Sequence, residues 1–238
     1  MVGVATPTAY VTAVALGAAL CGGLCAAARR QPGPWTARAA DLIGLVLLAD
    51  AVSYVVALVV AGTFSWSTSL PLALCDMAVI VAGLACFSLN PGLVELTYFW
   101  GLAGTLQGVV TPDLGVGFPH LVFFQYVIGH VAIVTAALFL VVGMRIEPRP
   151  GAVWRVFAVT VGYALFVALV DALSGANYMF LRAPPGEWTL LRLLGPWPWY
   201  LVSATAVALV LLVLLDLPFV MRRRHEGHVT SHISGHGP

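Results

Sequence analysis

The 238-residue chain contains long runs without a charged side chain. No Asp, Glu, Lys or Arg occurs from Met1 to Ala28, Ala51 to Cys75, Met77 to Val94, Leu114 to Met144, or Leu193 to Leu215. A helix that crosses a bilayer needs roughly 20 mainly apolar residues. About seven segments meet that need: 8–28, 40–61, 70–88, 93–111, 120–143, 154–175 and 199–220. The runs are continuously apolar and do not alternate, so closed β-barrel strands are excluded. The fold class expected is all-α, a polytopic bundle of seven transmembrane helices.

Composition closes other routes. Charged residues make up 9% of the chain, against roughly a quarter in a soluble domain. Low hydrophobicity with high net charge, the signature of disorder, is absent. A formal net charge of +1 gives no reason to expect a nucleic-acid partner. Every basic residue is Arg; without Lys there is no Schiff-base chemistry. The connections are short, so function resides in or at the bilayer. No internal repeat supports an inverted-repeat transporter.

The arginines predict orientation. Arg29, Arg30 and Arg38 separate helices one and two; Arg145, Arg149 and Arg155 separate helices five and six; Arg222, Arg223 and Arg224 follow helix seven. With seven helices these clusters share one side, and only Arg182 and Arg192 fall opposite. The N-terminus is therefore expected outside and the C-terminus in the cytoplasm. The first helix has no basic stretch before it and is expected to remain as an anchor. Residues 1–221 form the membrane domain; the polar tail, 222–238, is expected to be disordered. Cys21, Cys25, Cys75 and Cys86 all lie in apolar runs, which argues against a disulfide framework.

Polar groups inside spanning helices are costly and are functional candidates by default. Helix three enters from outside near Leu70, so Cys75 lies roughly 8 Å deep. Helix five enters near His120, so His130 lies roughly 15 Å deep. Asp171, Asn177, Tyr178 and Asp113 fall in the same outer region. Phospholipid ester carbonyls lie just beneath the headgroups, within reach of such a nucleophile. Thiolate is intrinsically very nucleophilic, but a buried thiol stays protonated unless a base takes its proton. Helices three and five thus offer Cys75 and His130 as one candidate pair. Asp76 points about 100° away from Cys75 and reads as a supporting group.

Each candidate has an ordinary counterpart. A cysteine in an apolar helix is usually a small hydrophobe. A membrane histidine is often an interhelical hydrogen-bonder. Glu95 and Asp216, near inner helix ends, can snorkel. Trp197, Trp199 and Tyr200 fit an outer aromatic belt, as Trp35 and Trp154 fit an inner one. The tail histidines His225, His228, His232 and His236 share helical spacing, but Gly227, Gly235 and Pro238 oppose a helix, and no metal is expected.

Six stretches in order carry a resemblance. They are Leu70-Pro-Leu-Ala-Leu-Cys75-Asp76, Tyr98-Phe-Trp-Gly-Leu-Ala-Gly-Thr-Leu-Gln107, Thr111-Pro-Asp113, Phe123-Phe-Gln-Tyr-Val-Ile-Gly-His130, Asn177-Tyr178-Met179 and Gly195-Pro-Trp-Pro-Trp-Tyr200. Together, over about residues 40–220, they resemble the YwaF-like integral membrane family. That family includes a vertebrate cysteine-dependent acyltransferase, which moves a polyunsaturated acyl chain onto ether-linked ethanolamine lysolipid. The resemblance implies a catalytic cysteine in the third-helix motif and a histidine in a later helix, which fall on Cys75 and His130. Relatives often carry His or Gln two positions before the cysteine, where this chain has Ala73.

The function expected is a phospholipid acyltransferase or transacylase working through a Cys75 thioester with His130 as general base. Phospholipid and lysophospholipid are the partners and no cofactor is needed. Asn177, Gln107 or Thr105 can donate to the oxyanion. Asp113 or His120 can orient a headgroup, and Asp76, Gln125 and Tyr178 complete the candidate surroundings. The alternative is a transporter or proton-coupled channel, with Asp50, Asp76, His130 and Asp171 lining a path. A sensor or scaffold without chemistry is a third reading.

Overall fold

A computed structural model describes residues 5–112, 114, 116–184 and 193–234. Among these there is helix and no strand. The helices are α1 (Ala5–Arg30), α2 (Pro34–Val60), α3 (Leu74–Ser88), α4 (Pro91–Phe99), α5 (Leu106–Val110), α6 (Leu121–Leu138), α7 (Ala152–Ser174) and α8 (Trp199–Ser234). A π-helical segment, Trp100–Thr105, fuses α4 to α5, and another, Phe139–Gly143, extends α6. The result is seven helical rods. Five are long and apolar enough to cross a membrane: those of α1, α2, α6, α7 and α8. The chain is a multi-pass membrane protein.

Local chemistry explains the punctuation. Leu89 ends α3 in the left-handed conformation (φ 50°). Asn90 then caps α4, its Oδ1 accepting from the Gly92 and Leu93 amides, with Pro91 at the first helical position. Side chains from α3, the α4 rod and α6 fill the centre, including Ala82, Phe99, Ile133 and Phe139. Helix α6 touches α1, α2, α3, α4 and both π segments, whereas α7 and α8 lie at the edge. Helices α2 and α3 cross closely: a Cβ on Gly44 would sit 2.9 Å from Cys86 Cβ and 3.0 Å from the Gly83 carbonyl. Small residues at such a crossing let backbones approach where no hydrophobic driving force separates helix from lipid. The outer faces of α1, α2, α7 and α8 expose leucines and valines, as a lipid-facing surface does.

Several boundaries differ from those read in sequence; α2, for one, starts at Pro34 and not near 40. Residues 70–73 are not helical, so α3 starts at Leu74 and spans only roughly 22 Å. The rod expected over 93–111 is interrupted by its π segment. Helix α8 continues through the tail to Ser234, where the sequence reading placed disorder.

The arginine clusters gather at one end of the bundle. Arg223 Nη1 donates to the Pro148 carbonyl (2.9 Å) and Arg222 pairs with Glu147. A Cβ on Gly143 would touch Ala28, next to Arg29 and Arg30. Glu95 does not snorkel: it is 2% exposed and held by two arginines. Its Oε1 accepts from the Arg149 amide (3.0 Å), Arg149 Nε (2.8 Å) and Arg155 Nη2 (2.8 Å). Its Oε2 accepts from Arg149 Nη2 and Arg155 Nε, both at 3.2 Å. Asp216 accepts from Arg223 (3.4 Å).

Candidate functional site

Cys75 is the second residue of α3, not a mid-helix residue. Residues 70–73, which precede α3, are irregular backbone in an apolar run. Irregular backbone in apolar surroundings must find partners within the protein, and it does. Tyr163 donates to the Leu72 carbonyl (2.9 Å), and the Tyr178 hydroxyl accepts from the Leu70 amide (3.0 Å). The N-cap, Ala73, has no side-chain oxygen, so the first-turn amides, that of Cys75 among them, have no partner from their own helix. Free amides and the positive end of a helix dipole favour a negative sulfur. Asp76 lies in the same turn, its carboxyl turned back toward Ala73. Tyr54 and Tyr163 are its aromatic neighbours.

Across from Cys75 stands the end of the first π segment. The Thr105 hydroxyl lies beside the thiol. It is buried and has no hydrogen-bond partner, a state that costs about 1–3 kcal/mol.

His130 approaches the same rod one turn further along. Its Nδ1 lies 2.8 Å from the Tyr126 carbonyl, and its ring stacks on the Tyr126 ring with centroids 4.0 Å apart. A carbonyl can only accept, so Nδ1 carries the proton and Nε2 keeps a lone pair. That nitrogen faces Gly108: a Cβ there would sit 3.0 Å from Cδ2 and 3.2 Å from Nε2. The Tyr126 hydroxyl donates to the Gly108 carbonyl (2.8 Å), fixing ring and rod together. Glycine is needed at 108 for space. Thr105 and Gly108 are three residues apart and share a helix face. Thiol and imidazole thus flank one face of one rod, although no direct Cys75–His130 contact is made.

The other candidates are placed as follows. Gln125 Nε2 donates to Ser53 Oγ (3.0 Å), while its Oε1 is buried and unpartnered. Ser53 Oγ in turn donates to the Asp50 carbonyl (2.8 Å). Gln107 is exposed and donates to Ala103 of its own rod (2.8 Å). His120 is exposed and caps α6, its Nδ1 accepting from the Val122 amide (3.2 Å). The Asn177 amide is consumed by its loop: Oδ1 accepts from the Arg182 and Ala183 amides, and Nδ2 donates to the Ala183 carbonyl (2.9 Å). Tyr178 donates to the Trp66 carbonyl (3.0 Å) and so staples two loops. Its amide donates to Asp171 Oδ1 (2.9 Å); Asp171 Oδ2 is buried without a partner. Tyr200 is buried and donates to the Phe180 carbonyl, so it leaves the aromatic belt to the exposed Trp197 and Trp199. Asp113, Arg192 and His236 lie outside the described residues.

Sequence reasoning missed Tyr126, Gly108, Tyr54 and Tyr163. The stretch Phe123-Phe-Gln-Tyr-Val-Ile-Gly-His130 held the signal for one of them, since Tyr126 precedes His130 by one helical turn. No cluster of three metal-ligating side chains exists among the described residues. Two apolar cavities of about 320 and 560 Å³ lie between α1 and α6; Cys75 and His130 line neither.

Comparison with known proteins now bears on this geometry. The TMEM164 family model matches residues 3–216. The chain belongs to the TMEM164 family. An uncharacterized protein of Treponema pallidum (strain Nichols) is 28% identical over 160 residues, covering 65% of this chain and 64% of that protein. The match therefore spans just under two thirds of that relative's length. No solved structure matches. The family model takes in Cys75, Thr105 and His130, and stops at Asp216, short of the α8 tail.

Proposed function

We propose that this TMEM164-family protein is a membrane-embedded phospholipid acyltransferase or transacylase. The observation that carries the reading is the convergence of Cys75 and His130 on the face of one rod bearing Thr105 and Gly108. The His130 tautomer supports it too, since Nε2 retains its lone pair on that face. The YwaF-like resemblance independently implies a cysteine and a histidine at these positions.

In the reading, the Cys75 sulfur attacks the carbonyl carbon of a phospholipid ester. His130 Nε2 accepts the thiol proton, and the tetrahedral oxyanion meets the free amides of the α3 first turn. The C–O bond breaks, and the departing lysophospholipid oxygen takes the proton from His130. This leaves an acyl thioester on Cys75. The hydroxyl of an acceptor lysophospholipid then attacks the thioester carbonyl as His130 removes its proton. The C–S bond breaks and the sulfur regains that proton. Donor and acceptor are both lipids, so no cofactor enters.

Depth sets a requirement on the substrate. With the arginine end facing the cytoplasm of a bacterial cell membrane, Ser88 lies at the inner boundary. Cys75 is 13 residues, roughly 20 Å, above it. In a hydrocarbon core of about 30 Å the thiol then lies roughly 10 Å below the outer interface, so the reading requires a lipid ester to dip about two helical turns into the bundle to reach it. Transport draws no comparable support, because Glu95 and Asp216, its inner-half acids, are engaged by arginines.

The test is transfer of a labelled acyl chain from phospholipid to lysophospholipid in proteoliposomes. Cys75→Ala and Cys75→Ser are expected to lose it and His130→Gln to lose most of it. Full transfer by Cys75→Ala would sink the proposal.

A further inference from the structure

Several hydroxyls on the helices of this protein bond back to their own backbone. Thr97, Thr160 and Thr205, and likewise Ser88 and Ser174, each donate to the carbonyl four residues earlier, at 2.7–2.8 Å. Such back-bonding is the ordinary way to satisfy a hydroxyl in apolar surroundings. Thr105 makes no such bond. Its hydroxyl is as buried as any in the protein, yet it has no partner.

The backbone gives the reason. The carbonyl four residues before Thr105 belongs to Gly101. In the π register that carbonyl accepts from the Leu106 amide, five residues on. The widened turn shifts that carbonyl out of the register at which Thr97 and Thr160 reach theirs. The hydroxyl is left on the α3 side, where Gly104 packs against Leu74 next to Cys75, a Cβ on Gly104 falling 3.2 Å from Leu74 Cδ2. A protonated thiol is a poor acceptor, so the donor stays unused at rest. A thiolate is a strong one. Isolated π turns inside α-helices occur frequently at functional sites, and here the turn has a definable effect.

We infer that Thr105 is a positioning residue whose hydroxyl the π segment holds unpaired so that it can donate to the Cys75 sulfur when that sulfur becomes negative. This rests on the reading of Cys75 as nucleophile. Its own claim is narrower, concerning what stabilises the anion of that thiol.

The experiment uses the full chain in lipid nanodiscs and follows alkylation of Cys75 by iodoacetamide, read on the Cys75 peptide by mass spectrometry as a function of pH. Thr105→Val keeps the shape and removes the donor; Thr105→Ala removes it without a branch, in case valine packs badly. Either folded variant is expected to alkylate about tenfold more slowly at neutral pH, the weight of one hydrogen bond to a charged group. Its rate profile is expected to move to higher pH. Thr105→Ser is expected to stay within about twofold of the parent. Thermal stability is expected to hold or rise in Thr105→Val, because an unsatisfied buried hydroxyl is gone; a structural threonine would give the opposite. Parent rates and profile in both hydroxyl-free variants overturn the inference. That failure is separate from failure of the acyl-transfer reading, which is lost only if Cys75→Ala keeps lipid transfer.

Discussion

The arginine-rich end and the opposite half of the bundle treat buried polar atoms in contrary ways. At the first, Glu95 is almost wholly buried and both its oxygens are engaged by Arg149 and Arg155. At the second, Thr105 Oγ1, Gln125 Oε1 and Asp171 Oδ2 are buried without partners. Burying a charge is tolerable only when it is paired and hydrogen-bonded. The Glu95 cluster meets that rule and joins α4, α7 and the loop between α6 and α7, which is what a structural tie requires. The other half leaves donor and acceptor capacity unused, which stabilises nothing by itself. The difference separates a fully paired tie at one end from a half in which Gln125 and Asp171 make one bond each and Thr105 none.

That comparison can be broken at either end. The largest effect is expected at the thiol. Cys75→Ala should reduce acyl transfer by on the order of a thousandfold or more while the thermal midpoint stays near the parent's. His130→Gln should cost about a hundredfold to ten-thousandfold, the usual weight of a general base. Both are read by labelled-lipid transfer. Next comes Gly108→Ala, whose Cβ would press on the imidazole at 3.0 Å. It should lower the transfer rate by about tenfold to a hundredfold, since small misplacements of a reacting group are costly. A fully active Gly108→Ala would separate His130 from the chemistry. At the arginine end the outcome should invert: Glu95→Gln is expected to lower the detergent thermal midpoint by several degrees and leave the rate per folded molecule unchanged. A rate loss without destabilisation would erase the contrast. The smallest effect is expected for Gly44→Ala at the α2–α3 crossing. Overpacking there should cost about 1–3 kcal/mol, read in thermal unfolding, with transfer retained.

Much of the fold is legible because lipid imposes it. Charge-free runs of spanning length give the rods, and Asn90-Pro91 marks a helix start by its own chemistry. Three arginine clusters point to one end, and they meet there. Less legible was the stretch from Leu70 to Ala73. An apolar run does not distinguish helix from buried irregular backbone. Pro71 biases Leu70 away from helix, and the freed backbone is partnered from about a hundred residues away, the Leu70 amide donating to Tyr178 and the Leu72 carbonyl accepting from Tyr163. That correction moves Cys75 to a helix N-terminus and so changes its chemistry. The π segment also left no periodic trace, since one extra residue per turn is lost within a uniformly apolar run. Asn177 and His120 read as candidates because they are polar; their partners are their own neighbouring amides, and only coordinates reveal that.

The central claim is that Cys75 carries the acyl chain between lipids. It is tested most directly by giving the reconstituted protein a phospholipid with an isotopically labelled acyl chain and no acceptor. The Cys75 peptide is then weighed before and after neutral hydroxylamine. The account predicts the labelled acyl mass on Cys75, removed by hydroxylamine and discharged when lysophospholipid is added. An unmodified Cys75 peptide, in a preparation that transfers the label once acceptor is supplied, would contradict it.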